Sequence, residues 1–196
     1  SDVCSSDLSL TKGDTMPEKL IAELCSPTLT AVKCASLINC EYETKQKLND
    51  DILHMNQRLS KKGIHLMVLS YPGKNHALIY MFRPKLLQEA LDVPDTRELM
   101  KEMGYSDHRI GCCLNVLRNK FVSSHQFPHE IGCFLGYPSE DVIGFMKNEK
   151  CVYHGMWKVY GNVEEAKKKF ALYEHAAQRC MNLFQAGIPL EEIAVV

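Results

Sequence analysis

The chain has 196 residues, of which 45% are hydrophobic and 24% are charged, and its formal net charge is −1. This length and composition are typical of a globular domain with an ordinary core. The near-zero charge, without a run of Lys and Arg interleaved with aromatic residues, argues against nucleic acid as a partner. No apolar stretch approaches the ~20 residues of a membrane span, so we expect a soluble protein with no membrane partner.

Nine cysteines are spread along the chain without a Cys-x-x-Cys pair, and no secretory signal pattern opens it. We therefore expect reduced thiols and a cytoplasmic location. Residues 1–15 have no apolar periodicity, and residues 1–8 match the translation of a common sequencing adapter. We expect residues 1–15 to be a non-native or disordered leader, and residues 16–196 to form a single globular domain.

Apolar spacing predicts three helices in the first third of the chain. One covers residues 18–24, and the next follows the N-cap residue Ser26, with apolar positions at Leu29, Val32 and Leu37. The third has its apolar residues at helical spacing over 48–59. Two apolar runs then follow, at 64–69 and 77–82, and the turn-forming residues between them predict a β-hairpin.

The second half of the chain alternates between helical and strand patterns. We predict helices over 84–91, 95–104 and 106–121, a strand over 130–135, a helix over 139–148, a strand over 151–160, and a long helix from Asn162 to just before Gly187. The fold class is therefore α+β. We expect a small, mainly antiparallel four-stranded sheet with one hairpin, and about seven or eight helices over one face and the ends. Trp157 and Phe170 should be buried in adjacent layers.

Cys25 and His129 form the first candidate site. Cys25 directly precedes a proline-started helix, where the helix end favours the thiolate. His129 opens a predicted strand, and a cysteine at a helix start followed by a histidine at a strand start is the order found in papain-like enzymes. Leu24–Ser26 and His129–Gly136 also resemble motifs of bacterial cell-wall peptidases of that fold. The alternative is that Cys25 is a core residue and His129 a strand-end cap.

Two further candidates involve metal and charge. His125, His129 and Glu130 could ligate a metal, but Pro128 interrupts a helix there and the glutamate follows the second histidine, so we predict no metal site. Lys33 and Arg83 are candidate ligand-binding cations. The alternative for both is a structural ion pair with Glu130 or Asp141. No phosphate or dinucleotide fingerprint is present, so the sequence identifies no cofactor.

The segment from Phe127 to Asn148 is the most distinctive stretch of the chain. Together with Cys25–Leu29, Lys33, Tyr80–Pro84 and Trp157–Tyr160 it resembles a bacterial family known as domain of unknown function 3793. The resemblance implies a single-domain cytosolic protein of gut-associated anaerobic bacteria. It carries over no established catalytic residue, ligand or partner.

The residues favour a binding or regulatory protein that holds a small molecule in a pocket built from Cys25, Lys33, Arg83, His129 and Glu130. The alternative is a papain-like thiol hydrolase or acyltransferase. In that enzyme Cys25 would be the nucleophile, His129 the base, and His154 or Glu130 the group that orients the imidazole. The sequence leaves the substrate and the oligomeric state open.

Overall fold

A computed structural model describes residues 18–123 and 127–195 of the chain. The predicted leader at 1–15 and the candidate ligand His125 lie outside these residues. In the part that is described, no helix is long and apolar enough to cross a membrane.

A three-stranded antiparallel sheet lies at the centre of the fold. Its strands are β1 (Ala35–Glu41), β2 (His65–Gly73) and β3 (His76–Phe82), in the order β1-β3-β2. The predicted hairpin is confirmed as β2–β3, and Asn75 at its turn has a positive φ of 62°. In the register of the sheet, Ile79 of β3 lies opposite Ile38 on one side and Val68 on the other.

The central strand β3 is buried on both faces, which explains its uninterrupted apolar sequence. Ala77, Ile79 and Met81 point into one apolar cluster, and Leu78, Tyr80 and Phe82 point into another. Because successive side chains of a strand alternate between its faces, the sheet separates these two cores.

Helices cover both faces of this sheet. They are α1 (Glu18–Leu24), α2 (Ser26–Leu29), α3 (Lys45–Leu59), α4 (Pro84–Leu91), α5 (Pro94–Glu102), α6 (Ile110–Ser123), α7 (Ile131–Phe134), α8 (Ser139–Met146), α9 (Val163–Gln185) and α10 (Leu190–Ile193), with one 3-10 turn at Ser60–Lys62. Buried residues of α1, α2, α3 and α10, together with Cys180 of α9, pack in the first cluster. Those of α4 to α8 form the second. The expectation that helices cover one face was therefore wrong.

The α+β class is confirmed, but the predicted four-stranded sheet is wrong. The strand predicted at 130–135 is instead the short helix α7, and β1 occupies a segment that the sequence assigned to a helix. Residues 151–160 form a separate two-stranded ribbon of β4 (Tyr153–His154) and β5 (Lys158–Val159). Short apolar runs fit a buried strand and a buried helix equally well, and this ambiguity caused the exchange. The ten described α-helices exceed the predicted seven or eight.

The ribbon packs on α9 through a third, mostly aromatic cluster. Trp157 lies edge-on to Phe170 of α9, with the ring centroids 4.4 Å apart, and both side chains are buried as predicted. The α9 N-terminus is also as predicted, since the Asn162 side chain accepts a hydrogen bond from the Glu165 N–H at 3.1 Å. This cluster forms one wall of the cavity described next.

Candidate ligand-binding site

A tight turn between α2 and β1 positions Lys33. The N–H groups of Val32 and Lys33 both donate to the carbonyl of Pro27, at 2.9 and 3.0 Å. The turn closes because Ala31 takes a left-handed conformation, with φ 59°. That conformation is costly for an alanine, so the surrounding contacts must hold it in place.

Arg83 anchors α2, the helix that leads into this turn. Its guanidinium donates to the carbonyls of Thr28 at 2.6 Å, Leu29 at 2.7 Å, Lys62 at 2.9 Å and Val195 at 2.8 Å. Four of the five arginine N–H donors are thus used on backbone carbonyls. Burial lowers the pKa of this guanidinium. Arg83 does not line the cavity, so its predicted ligand-binding role stays a prediction, while its contacts hold α2 in place.

A cavity of about 140 Å³ lies beside this turn, between α1, α2, the ribbon and α9. Its walls are mainly apolar and aromatic, and Lys33 supplies a cation. The lining residues are Glu23, Leu24, Pro27, Lys33, Ser36, Tyr137, Met156, Trp157, Tyr173 and Ala177. A small, mostly apolar concavity with a few polar groups is the usual form of a small-molecule site. We call it the Lys33 cavity.

Lys33 is a largely buried residue whose ammonium lies near aromatic rings. The residue is only 8% exposed, and its Nζ lies 5.4 Å from the ring centroid of Tyr137 and 5.7 Å from that of Tyr173. Across residues 18–123 and 127–195, no ion pair joins this ammonium to a carboxylate. Burial raises the pKa of the neighbouring Cys34 thiol to about 11, although the Lys33 charge acts in the opposite direction.

The other polar groups of the cavity already have protein partners. The hydroxyl oxygens of Ser36 and Thr28 lie 2.8 Å apart and share a hydrogen bond. The Trp157 indole N–H donates to a carboxylate oxygen of Asp141 at 2.8 Å. Glu23 lies 3.6 Å from Lys19, one helical turn earlier. Lys33 is therefore the charged donor that these contacts leave available to a ligand.

Asp141 fixes the aromatic wall of the cavity. This buried carboxylate at the start of α8 accepts the Trp157 indole N–H, and also the backbone N–H groups of Tyr160 at 2.7 Å and Gly161 at 3.0 Å. Charged acceptors make the stronger kind of hydrogen bond, so this carboxylate ties the ribbon to α8. Trp157 in turn stacks on Tyr137, with centroids 4.6 Å apart.

The proposed catalytic residues lie in different surroundings. Cys25 is the N-cap residue of α2, one position earlier than predicted, and it is fully buried in the first cluster. His129 is exposed, with its ring 5.1 Å from that of Phe145. His154 is exposed on β4, opposite Lys158 of β5. A buried thiol would have to become accessible before it could attack a substrate, and the catalytic assignment stays a prediction.

Glu130 lies in the second cluster as half of an ion pair. Its carboxylate accepts from the Lys120 ammonium at 2.6 Å and from the Tyr105 hydroxyl at 3.2 Å. Burial raises the pKa of Tyr105, and the negative charge of Glu130 raises it further by a smaller amount. The ion-pair partner of Glu130 is therefore Lys120, and not Lys33 or Arg83 as the sequence suggested. Among the described residues, no group of three or more His, Cys, Asp and Glu side chains could hold a metal.

The sequence singled out Lys33 but missed the aromatic residues around it. No motif or spacing in the sequence marks Tyr137 or Tyr173 as a residue that contacts a ligand. The one available signal was that Tyr137 and Trp157 both belong to the distinctive segments of the chain. Only the packing of the ribbon on α9 brings these rings to Lys33.

Comparison with known proteins gives one family. The family model described as "Protein of unknown function (DUF3793)" matches residues 21–194, so the chain belongs to that family, and the resemblance seen in the sequence is confirmed. No curated protein and no solved structure matches the chain.

Proposed function

We propose that this family member is a small-molecule binding protein and that its ligand occupies the Lys33 cavity. One observation carries the proposal: a largely buried lysine, without a carboxylate partner among the described residues, lines a cavity with aromatic walls. The binding role belongs to the class favoured by the sequence, but its residues differ. Lys33 remains from the predicted set, and Tyr137, Trp157 and Tyr173 join it.

The Lys33 ammonium loses part of its hydration in the folded protein, because the residue is only 8% exposed. Removing an ammonium from water carries a penalty of several kcal/mol, and an apolar side chain of similar volume would avoid it. The faces of two tyrosines offset part of the penalty, by ~0.5–2 kcal/mol each for cation–π contacts. A ligand of opposite charge would offset the rest, and this gives the lysine a role in binding.

The walls of the cavity are held before any ligand arrives. Arg83 fixes the α2 side through four carbonyls, and Asp141 fixes the ribbon side through three N–H groups. A site that is already formed loses little conformational freedom on binding. This rigidity favours a binding role over an incidental gap in packing.

The only tryptophan of the chain provides the test. Trp157 lines the cavity, so the single indole N–H resonance in a ¹⁵N spectrum reports on occupancy. We expect that a library of fragments with ~6–10 non-hydrogen atoms will contain compounds that shift this resonance, because cavities of this volume accept benzene.

An occluding variant assigns these shifts to the cavity. Ala177→Leu fills the cavity from α9, whereas Ala171→Leu adds the same atoms to an exposed position of the same helix. We expect Ala177→Leu to abolish the fragment shifts and Ala171→Leu to preserve them, with thermal unfolding as the folding control. Fragments that still shift the indole resonance of a folded Ala177→Leu protein would contradict the proposal.

We also propose that this binding takes place in the cytoplasm. All eight described cysteines are free, as expected for a chain kept in a reducing compartment. Fractionation of the native host, followed by detection with an antibody, would test the location.

A further inference from the structure

Building on the proposed binding function, we infer that the ligand is a monocarboxylate with a small, planar, apolar body. The inference concerns the chemical class of the ligand and uses three properties of the Lys33 cavity. These are the number of available charges, the sign of the charge on its lining, and its size and shape.

The donors that the cavity leaves available to a ligand indicate that this ligand carries one negative charge. Lys33 contributes one ammonium, while the Ser36 hydroxyl is engaged with Thr28 and the Trp157 indole with Asp141. A carboxylate group matches the single Lys33 ammonium, because that ammonium can neutralise its charge and donate a charge-assisted hydrogen bond to it. A neutral ligand would displace water from the cavity and leave the ammonium there without a counter-charge.

Glu23 argues against ligands of higher charge. Its carboxylate also lines the cavity, and its side chain is partly exposed near Lys19. A phosphate dianion would have only the Lys33 ammonium to neutralise it, so one negative charge would remain uncompensated at a site with mainly apolar walls, and the nearby Glu23 carboxylate would add repulsion. Buried charges without partners are strongly unfavourable. Phosphates, nucleotides and other polyanions therefore do not fit this lining.

The size and shape of the cavity describe the rest of the ligand. An apolar cavity of ~150 Å³ accepts benzene in a well-studied engineered protein, and the Lys33 cavity has about 140 Å³. Three aromatic rings, from Tyr137, Trp157 and Tyr173, line it together with the flexible thioether of Met156. Flat rings pack well against aromatic walls in stacked or edge-on geometry. A benzoate-sized acid fits both the volume and the lining.

Three probes of the same shape and different charge test this class. Benzoate, benzamide and benzylammonium share a six-membered ring, and each can be titrated while the Trp157 indole resonance is followed. We expect benzoate to bind at least about tenfold more tightly than benzamide, since a hydrogen bond to a charged group has this effect. We expect benzylammonium to give no saturable shift, because its charge opposes that of Lys33.

Lys33→Met is the decisive variant. It should weaken benzoate binding at least about tenfold and leave benzamide binding within about twofold, because methionine retains much of the volume and loses the charge. The ligand-free variant should also melt at a higher temperature than the wild type, since the uncompensated ammonium is gone. Lys33→Arg, which keeps the charge, is the folding and charge control, and should still prefer benzoate to benzamide.

The outcomes separate this inference from the proposed function. Equal binding of benzamide and benzoate, or competition by millimolar inorganic phosphate against benzoate, would overturn the monocarboxylate class. The cavity would still be a binding site if Ala177→Leu blocked those probes. No response to any of the three probes would also overturn the class. The proposed function itself fails if no fragment of the library shifts the indole resonance, or if the fragment shifts survive Ala177→Leu.

Discussion

Replacing Arg83 by methionine should destabilise the protein clearly, because the guanidinium holds four backbone carbonyls. The guanidinium donates to carbonyls of α2, of the 3-10 turn and of Val195, so it ties together three separate parts of the chain. Hydrogen bonds to a charged group contribute ~1.5–3 kcal/mol each, and a simple sum over four bonds would be ~6–12 kcal/mol. The real cost is smaller, for two reasons that the contacts supply.

First, two of the carbonyls keep other donors after the substitution. The Thr28 oxygen still accepts from the Ala31 N–H at 3.2 Å, and the Leu29 oxygen from the Val195 N–H at 3.1 Å. Second, Lys62 is half-buried and Val195 is exposed, so water can reach their carbonyls. Methionine also removes the desolvation cost of the buried charge. We therefore expect a loss of about 3 kcal/mol in the free energy of unfolding.

Urea unfolding followed by circular dichroism measures this loss. A change of 3 kcal/mol in a chain of this size corresponds to a melting temperature lower by ~6–12 °C. Arg118→Met, at an exposed position of α6, is the matched control and should stay within ~0.5 kcal/mol of the wild type. Hydrogen exchange should also accelerate at the Val195 amide. A cost below ~1 kcal/mol would refute the reasoning, because it would mean that the guanidinium does not hold these carbonyls in solution.

Three further predictions test the packing around the site. Phe170→Ala should cost ~3–5 kcal/mol in urea unfolding, because it removes a buried aromatic ring from the third cluster, and a cost near zero would place that ring outside the core. Gly132→Ala should cost ~1–3 kcal/mol, since its Cβ would lie 2.8 Å from a side chain of α8, whereas Gly111→Ala in open space should be neutral or stabilising. Limiting iodoacetamide at neutral pH should label the partly exposed Cys151 before the buried Cys25, as read by peptide mass spectrometry. Faster labelling of Cys25 would support the thiol-enzyme hypothesis.

The elements that the sequence predicts well are those with a clear period or a clear turn. The hairpin, α3 and α9 have such patterns, and all three are present. Two other segments have short apolar runs without a period. Residues 131–134 form a helix and residues 35–41 form a strand, and each is covered by other elements on more than one side. Burial on all sides removes the alternation that would distinguish the two states.

The site was predictable in its charges but not in its geometry. Lys33 and Arg83 stood out in the sequence, and both are buried. The partners of Arg83 are backbone carbonyls. Every residue has one, so the amino-acid sequence does not show which of them accept from Arg83. The rings around Lys33 come from a turn, a ribbon and a helix that are far apart in sequence. A cavity is a property of how elements pack, so composition and spacing could not show it.

The bond between Val195 and α2 has a consequence for the order in which the molecule is made. The Val195 N–H donates to the Leu29 carbonyl, and the Val195 carbonyl accepts from Arg83, so the turn that carries Lys33 is secured by a residue that is synthesised long after it. Tyr173 and Ala177 of the cavity also belong to a late helix. Contacts between residues so distant in sequence form late, after the loop between them has closed. A nascent chain on the ribosome can therefore fold its hairpin early, yet it gains the complete cavity only after α9 and Val195 have emerged.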